Sequence, residues 1–262
     1  MDTRTLRSYR HYNQSSNHRY YFSDPTSAYR SARFVTISLL ATNAVVFAAW
    51  QYAQFTHNRR LRNFVEDNTL LSLPAWHAGK WWTLVTSAFA HHDLTHFAFN
   101  MVALYTFCRN LSSIPGFGGI RLLGLALGSG VAGSTFFLYQ QSHKAPTERS
   151  PLVASAVLDQ FQRAPRQVAA LGASGIVCGV SAAAACILPS TKMLIFPLPV
   201  PIPLWLGVVG YAAVDAYYID QRDARIAHAG HLGGLAFGLA YYLGFLTRFG
   251  GVWSMIRRGG LR

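Results

Sequence analysis

Two short motifs contain the residues best suited to nucleophilic chemistry. Ser174 lies in the stretch Gly172-Ala173-Ser174-Gly175, where glycines on both sides expose its hydroxyl and its backbone N–H. His231 lies near the start of a later apolar segment. A serine hydroxyl becomes nucleophilic when an imidazole takes its proton, so the pair predicts acyl transfer with Ser174 as nucleophile and His231 as general base and acid. The alternative is that Ser174 only bonds a preceding helix carbonyl.

A second pair of residues is suited to stabilise the oxyanion that such a reaction produces. His96 and Asn100 are four residues apart, so they share one face of a helix, and both can donate hydrogen bonds. Together with the Ser174 backbone N–H they predict an oxyanion hole. The alternative is a pair of interhelical bonds that stabilise the bundle. His228, one helical turn before His231, is interpreted as a rim residue, with the role of base as its alternative.

The same region offers a metal-binding alternative. His91, His92, Asp93 and His96 are close enough in sequence to bind zinc together. The stretch lacks the His-Glu-x-x-His pattern, however, and therefore lacks the glutamate base that zinc proteases use. We predict no metal and no cofactor.

The composition of the 262-residue chain indicates which elements position these residues. It is 51% hydrophobic and 13% charged, against roughly a quarter charged in an ordinary soluble domain. A membrane-spanning helix needs about 20 predominantly apolar residues. Alternating prolines from Pro197 to Pro203 predict an extended connector. The remaining pattern predicts an all-α membrane protein with six transmembrane helices, over about Phe34–Ala53, Leu84–Cys108, Ile120–Tyr139, Val168–Leu188, Leu204–Ile219 and Ala227–Phe245.

The charged residues predict the orientation of the bundle and the nature of the chain ends. The net charge is +13, and Lys and Arg are more numerous on the side that holds both termini, so that side is expected to face the cytosol or the mitochondrial matrix. Residues 1–33 are rich in Arg and Ser and poor in acids, which is typical of a mitochondrial transit sequence or of a disordered basic tail. The membrane domain is predicted over residues 34–247, followed by a short basic tail over 248–262.

The polar clusters are predicted to lie at one depth in the membrane. They open the second, fourth and sixth spans, which all enter the bilayer from the same side, so one site can contain them. Gly175 and Gly179 on the fourth span are four residues apart, as are Gly234 and Gly238 on the sixth. Small residues at this spacing allow close backbone contact between helices. Such contact would bring the serine within hydrogen-bond reach of the histidine.

Three motifs on spans two, four and six resemble the core of the rhomboid intramembrane serine proteases: His96-x-x-x-Asn100, Gly172-x-Ser174-Gly175 and His231-x-x-Gly234-x-x-x-Gly238. The resemblance covers about residues 34–245. It implies a catalytic dyad of Ser174 and His231 with no third acidic member, and an oxyanion hole formed by His96, Asn100 and Ser174. It also implies substrates that are single transmembrane helices with a locally unstable segment.

Two departures from the bacterial pattern, together with the stretch 228–234, resemble the mitochondrial, presenilin-associated rhomboid-like branch. Trp81-Trp82 is similar to the first-loop tryptophan of the family, but the arginine that commonly follows is Thr83. The position four after the serine, often a tyrosine that stacks on the histidine, is Cys178. Another group must therefore orient the histidine. The branch usually carries an additional span before the six, and this sequence shows six.

The resemblance implies an intramembrane serine endopeptidase, which cuts in or near transmembrane helices of other membrane proteins, in the mitochondrial inner membrane or another organelle membrane. Its expected partners are those substrates and the lipid bilayer, and no nucleic acid. One alternative is a catalytically inactive rhomboid-like protein that binds or escorts membrane clients. Another is a transporter, which would need charged residues near the bilayer midplane, where Asp215 is the only obvious candidate in the sequence.

Overall fold

The computed structural model describes residues 25–144, 169–195, 198–220 and 227–257. A 3₁₀ turn spans Ser87–Phe89, and a π-helical turn spans Tyr242–Leu246. The described strands are β1 (Lys192–Ile195) and β2 (Leu198–Pro203). Within the described ranges the helices are α1 (Pro25–Phe55), α2 (Arg59–Thr69), α3 (Leu73–His77), α4 (Thr83–Thr86), α5 (Leu94–Ser112), α6 (Gly119–Lys144), α7 (Ser174–Ile187), α8 (Leu204–Tyr218), α9 (His228–Tyr241) and α10 (Val252–Arg257).

Three of the described helical segments are long and apolar enough to cross a membrane: Thr26–Phe55, Gly119–Lys144 and His228–Phe249. The other predicted spans also contain helices, but α5, α7 and α8 have 19, 14 and 15 residues. At about 1.5 Å per residue, α7 and α8 extend roughly 21 to 23 Å, less than the hydrocarbon core of about 30 Å. The described chain is thus a mostly helical membrane protein with three candidate spans.

The first helix begins inside the segment predicted as a basic tail. Helix α1 starts at Pro25, nearer the N-terminus than the predicted start at Phe34. Proline is well placed there, because the first residues of a helix have no acceptor for their N–H groups. The predicted targeting segment therefore overlaps α1 from residue 25 onward, and residues 1–24 lie outside the described chain. Of the predicted C-terminal tail, residues 258–262 also lie outside it.

Helix α5 begins at Leu94, whereas the second span was predicted from Leu84. The Asp93 carboxylate accepts hydrogen bonds from the backbone N–H of His96 and the hydroxyl of Thr95, both at 2.7 Å. A carboxylate in this position caps a helix start, since it satisfies an N–H that has no partner within the helix. The prediction was wrong here because it extended an apolar segment through a capping residue.

The described part of the proline-rich connector, Leu198–Pro203, is extended, as predicted, and it also pairs with the preceding strand. Strands β1 and β2 are antiparallel, with Lys192 opposite Pro203 and Leu194 opposite Pro201, and the register shifts between Leu194 and Ile195. Each strand of a two-stranded sheet has an unpaired edge, so prolines that lack an N–H are accommodated there. This hairpin departs from the all-α prediction.

Helix α9 lies at the centre of the described bundle. It packs against α6, α7 and α8, and α6 also packs against α7. The main hydrophobic core is formed by residues from α1, α5, α6 and α7, together with the π-helical turn after α9. Residues at the start of α9 and the start of α7 are thereby placed side by side.

Candidate active site

Ser174 is the first residue of α7 and is half-buried. The chain reaches it through Gly172, whose φ of +120° is a conformation that favours glycine. The N–H of Gly172 donates to the carbonyl of Ser87 at 2.9 Å. Because the first N–H groups of a helix have no carbonyl one turn earlier to bond, the Ser174 N–H has no acceptor within α7.

His231 lies one turn into α9 and is buried. Its Nε2 is 2.8 Å from Oγ of Ser174, within the range of about 2.6 to 3.2 Å expected for a nucleophile and its base. The structure therefore brings together the two side chains that the sequence predicted as nucleophile and base. Sequence alone could not supply this contact, because it joins two separate helices.

Backbone contact between the helices sets this distance. A Cβ added at Gly234 would overlap the carbonyl oxygen of Gly175, and a Cβ added at Gly238 would overlap that of Gly179. The two predicted glycine stripes therefore face each other, and the prediction of close contact between them is confirmed. A side chain at Gly234 or Gly238 would therefore push α9 away from α7 and separate the histidine from the serine.

Sequence reasoning did not place Asp215 of α8 in the site. Its carboxylate oxygens lie 3.1 and 3.2 Å from Nδ1 of His231, and one of them lies 2.6 Å from Nδ1 of His228. The hydroxyl of Tyr211 is 3.1 Å from the same Nδ1 of His231. His228 was predicted to lie at the rim of the site. It is instead buried, and it bonds Asp215. The one available signal was a lone acid in an apolar segment.

The two predicted oxyanion donors occupy different positions relative to the pair. The ring of His96 lies against the turn before Ser174, since a Cβ added at Gly172 would be 2.7 Å from its Cε1. Asn100 is buried, and its Nδ2 donates to the carbonyl of His96 at 2.9 Å. This bond uses one of the two N–H groups of the amide. His96 is thus beside the turn that leads to Ser174, while Asn100 bonds the backbone of its own helix.

The four zinc candidates do not form a common centre. His91 is fully buried, and its Nε2 accepts a hydrogen bond from the N–H of Ala173 at 3.3 Å. Burial lowers the pKa of His91 to about 4, so the ring is neutral and can accept this bond. The ring of His92 packs against an indole of α1 at 4.5 Å between centroids. Asp93 caps α5, and the N–H of His96 lowers its pKa.

A different group of side chains has the geometry of a potential metal site. The ligand atoms of Asp215, His228 and His231 all lie within 4.8 Å of one another. The hydrogen bonds among these three residues account for their convergence, and the absence of a metal stays a prediction.

A cavity of about 30 Å³ adjoins the serine and histidine, enough for a water molecule. Its wall includes Ser87, Ser134, Gly133, Gly175 and Gly230. The hydroxyl oxygens of Ser87 and Ser134 lie 3.5 Å apart. The cavity therefore presents hydroxyl groups beside the half-buried Ser174.

Comparison with known proteins gives consistent matches. A family model described as "Rhomboid domain" matches residues 78–248. The chain is 32% identical to "RHOMBOID-like protein 12, mitochondrial" of Arabidopsis thaliana over 88% of its own length and 61% of that protein. It is 28% identical to "Rhomboid protein 1, mitochondrial" of Saccharomyces cerevisiae, over 78% and 51%. It is 29% identical to "Presenilin-associated rhomboid-like protein A, mitochondrial" of Danio rerio, over 79% and 46%. The chain thus spans between 46% and 61% of these relatives.

Proposed function

The chain belongs to the rhomboid family and is a mitochondrial integral membrane protein, and on that premise we propose that it is an intramembrane serine endopeptidase. It hydrolyses peptide bonds in or near the transmembrane helices of other membrane proteins. The observation that carries this proposal is the contact of 2.8 Å between Oγ of Ser174 and Nε2 of His231. Neither residue needs such a partner to pack a helix.

The reaction follows from this contact. Oγ of Ser174 attacks the carbonyl carbon of the scissile peptide bond while its proton passes to Nε2 of His231, which gives a tetrahedral oxyanion. When the carbon–nitrogen bond breaks, the imidazolium returns that proton to the leaving amine and an acyl-serine remains. Water then attacks the acyl carbon as it gives a proton to the same imidazole. The bond between that carbon and Oγ of Ser174 breaks, the imidazolium returns the proton to Oγ, and the carboxylic acid product leaves.

The oxyanion is stabilised by three donors in this proposal. The Ser174 N–H lies at the open start of α7, and the imidazole of His96 lies beside the preceding glycine. The side-chain amide of Asn100 supplies the third donor through the N–H that its bond to the His96 carbonyl leaves free. In soluble enzymes the loss of one such donor costs about 10²- to 10³-fold in kcat.

The position of the serine suits a membrane substrate. We place six spans in the bilayer, formed by α1, α5, α6, α7, α8 and α9, with both termini in the matrix and the protein in the inner membrane. In this placement α7 ends at the matrix surface of a hydrocarbon core of about 30 Å. The helix is about 21 Å long, so the Ser174 hydroxyl would lie roughly 10 Å below the opposite surface. A substrate helix must unwind at that depth, because regular helices hide their carbonyls in internal hydrogen bonds.

Reconstitution with a panel of single-span reporter proteins tests the activity. We expect the wild type to cleave at least one reporter and to react with a fluorophosphonate, and we expect Ser174→Ala and His231→Ala to lose both. Ser181→Ala is the matched control, because this serine lies on the same helix and bonds the carbonyl of Cys178 at 2.9 Å. It should react like the wild type.

Folded wild-type protein that neither labels nor cleaves any reporter would contradict the proposal. That result would favour the catalytically inactive, client-binding alternative. Persistent cleavage by Ser174→Ala would instead show that the nucleophile is wrong.

The oxyanion assignment has its own test. We expect His96→Ala and Asn100→Ala to lower kcat by about 10²- to 10³-fold each, while thermal unfolding in detergent shows a folded protein. Asn68→Ala is a suitable comparison, because its amide also donates to a carbonyl one turn earlier, at 2.8 Å, in a solvent-exposed hydrogen bond on α2. Unchanged kcat in both His96→Ala and Asn100→Ala would leave the Ser174 N–H as the one assigned donor.

A further inference from the structure

The Asp215 carboxylate is an unusual feature of α8. The residue is 2% exposed, although its neighbours Val214 and Tyr217 are 51% and 78% exposed. A carboxylate without partners is costly to bury, so its location must be supported by hydrogen-bond donors. The donors that meet it are the Nδ1 atoms of two imidazoles, at 2.6 Å for His228 and 3.1 Å for His231.

The carboxylate determines which nitrogen of His231 carries the proton. An ionised carboxylate only accepts hydrogen bonds, so the facing Nδ1 must be the protonated nitrogen. The neutral ring then has its lone pair on Nε2, which is the atom 2.8 Å from Oγ of Ser174. This is the tautomer that can take the serine proton.

Tyr211 is a competing partner for the same nitrogen. Its hydroxyl lies 3.1 Å from Nδ1 of His231. If the hydroxyl donated to Nδ1, the proton of the neutral ring would lie on Nε2, and that nitrogen could not accept the proton of Ser174. Asp215 favours the productive tautomer, whereas donation from Tyr211 would favour the unproductive one.

His228 fixes the carboxylate that in turn orients His231. Its Nδ1 bonds Oδ1 of Asp215, while Oδ2 lies 3.2 Å from Nδ1 of His231. Because His228 is one helical turn before His231, both rings reach α8 from the same face of α9.

We propose that Asp215 is a positioning residue that holds His231 in the tautomer able to accept the Ser174 proton, and that His228 anchors its carboxylate. This inference rests on the proposed protease function. It gives the site an acidic third member, where the motif resemblance implies a dyad without one. During acyl transfer the imidazolium of His231 forms beside the carboxylate, which stabilises the positive charge without taking the proton.

The test replaces the carboxylate with an amide of the same shape. We expect Asp215→Asn to lower kcat for a cleaved reporter by about 10²- to 10⁴-fold and to leave KM within a factor of three, because the residue does not face the substrate. His228→Gln should lower kcat less than Asp215→Asn does. Asp220→Asn is the matched control, since it makes the same change at an exposed residue just after α8, and it should behave like the wild type.

A hydroxyl deletion separates the two partners of Nδ1. Tyr211→Phe keeps the ring that lies 5.5 Å from that of His231 and removes only the hydroxyl. We expect its effect on kcat to be at least tenfold smaller than that of Asp215→Asn. A larger loss in Tyr211→Phe than in Asp215→Asn would overturn the inference.

A measurement on the wild type covers the case in which Asp215→Asn fails to fold. Nitrogen-15 NMR of labelled histidine, assigned by comparison with His231→Ala, should find the proton of neutral His231 on Nδ1. A proton on Nε2 would overturn the inference. Full kcat in folded Asp215→Asn would also overturn the inference about Asp215. If Ser174→Ala were inactive in the same assay, the protease proposal would still stand. A wild type without activity would refute the protease proposal itself.

Discussion

Helix α9 contacts its two sets of neighbours by different means. Toward α6 and α7 it presents glycines, and their backbones touch so closely that an added Cβ at Gly234 would overlap a carbonyl oxygen. Toward α8 it makes a side-chain contact, between His231 and the carboxylate of Asp215. Other residues of α8 are exposed, with Val209 at 56% and Tyr217 at 78%. We refer to these as the packed side and the open side of α9. The packed side sets the distance between serine and histidine, and the open side sets the orientation of the imidazole.

The difference separates two requirements of the proposed reaction. A backbone contact cannot select a tautomer, because it does not touch the imidazole nitrogens. A side-chain hydrogen bond cannot by itself fix the separation of two helices, because side chains change rotamer more readily than closely packed backbones move. The start of α7 also depends on a side-chain bond, from His91 to the N–H of Ala173.

The largest loss of stability is expected from breaking the packed side. Gly234→Ala places a methyl group on the carbonyl oxygen of Gly175. Overpacking a tight contact costs about 1 to 3 kcal/mol, and we expect the upper end because backbone, not a flexible side chain, is in the way. Thermal unfolding should show this loss, and reporter cleavage should fall at least tenfold as the serine and histidine separate. Wild-type unfolding temperature and cleavage in Gly234→Ala would contradict the packed-side description.

A smaller loss of stability is expected where the His91 side chain supports the turn before Ser174. His91→Phe keeps a ring but leaves the buried N–H of Ala173 without an acceptor, which costs about 1 to 3 kcal/mol. We expect cleavage to fall because the turn before Ser174 loosens, with a smaller change in unfolding temperature than in Gly234→Ala. His77→Phe, at an exposed position on α3, is the control. Equal unfolding temperatures and cleavage rates in His91→Phe and His77→Phe would show that the His91 bond has no such role.

Sequence patterns predicted the elements of this fold better than the contacts between them. Hydropathy placed a helix in each predicted span, and motif spacing placed Gly175 and Gly234 on facing helices. The sequence does not reveal the start of α5, because Asp93 looks like a single acid within an apolar segment. In the structure Asp93 caps the helix. Asp215 was considered only as weak support for a transporter. Its role depends on how α8 is rotated against α9, and no sequence spacing specifies that rotation.

Gly175, the residue after Ser174, provides a further test of the packed side. In Gly175→Ala the new methyl group would meet the carbonyl oxygens of Gly230 and Ser129 at 3.6 and 3.7 Å, which are ordinary contacts. We therefore expect less than about 1 kcal/mol of destabilisation, although Gly175 belongs to the same motif as Ser174. A stable variant with cleavage lost would mean that a substrate, rather than a helix, approaches this glycine.

The smallest effect, and one of opposite sign, is expected on the open side. Gly210 is exposed on α8, and a Cβ there would meet nothing within 4 Å. Glycine inside a helix is less favourable than alanine by about 0.5 to 1 kcal/mol, so Gly210→Ala should raise the unfolding temperature slightly and leave cleavage unchanged. Gly210→Ala and Gly234→Ala make the same chemical change on α8 and α9, and only the surroundings differ. If both variants were destabilised alike, the cost would come from the loss of glycine itself, and the contrast between the packed and open sides would fail.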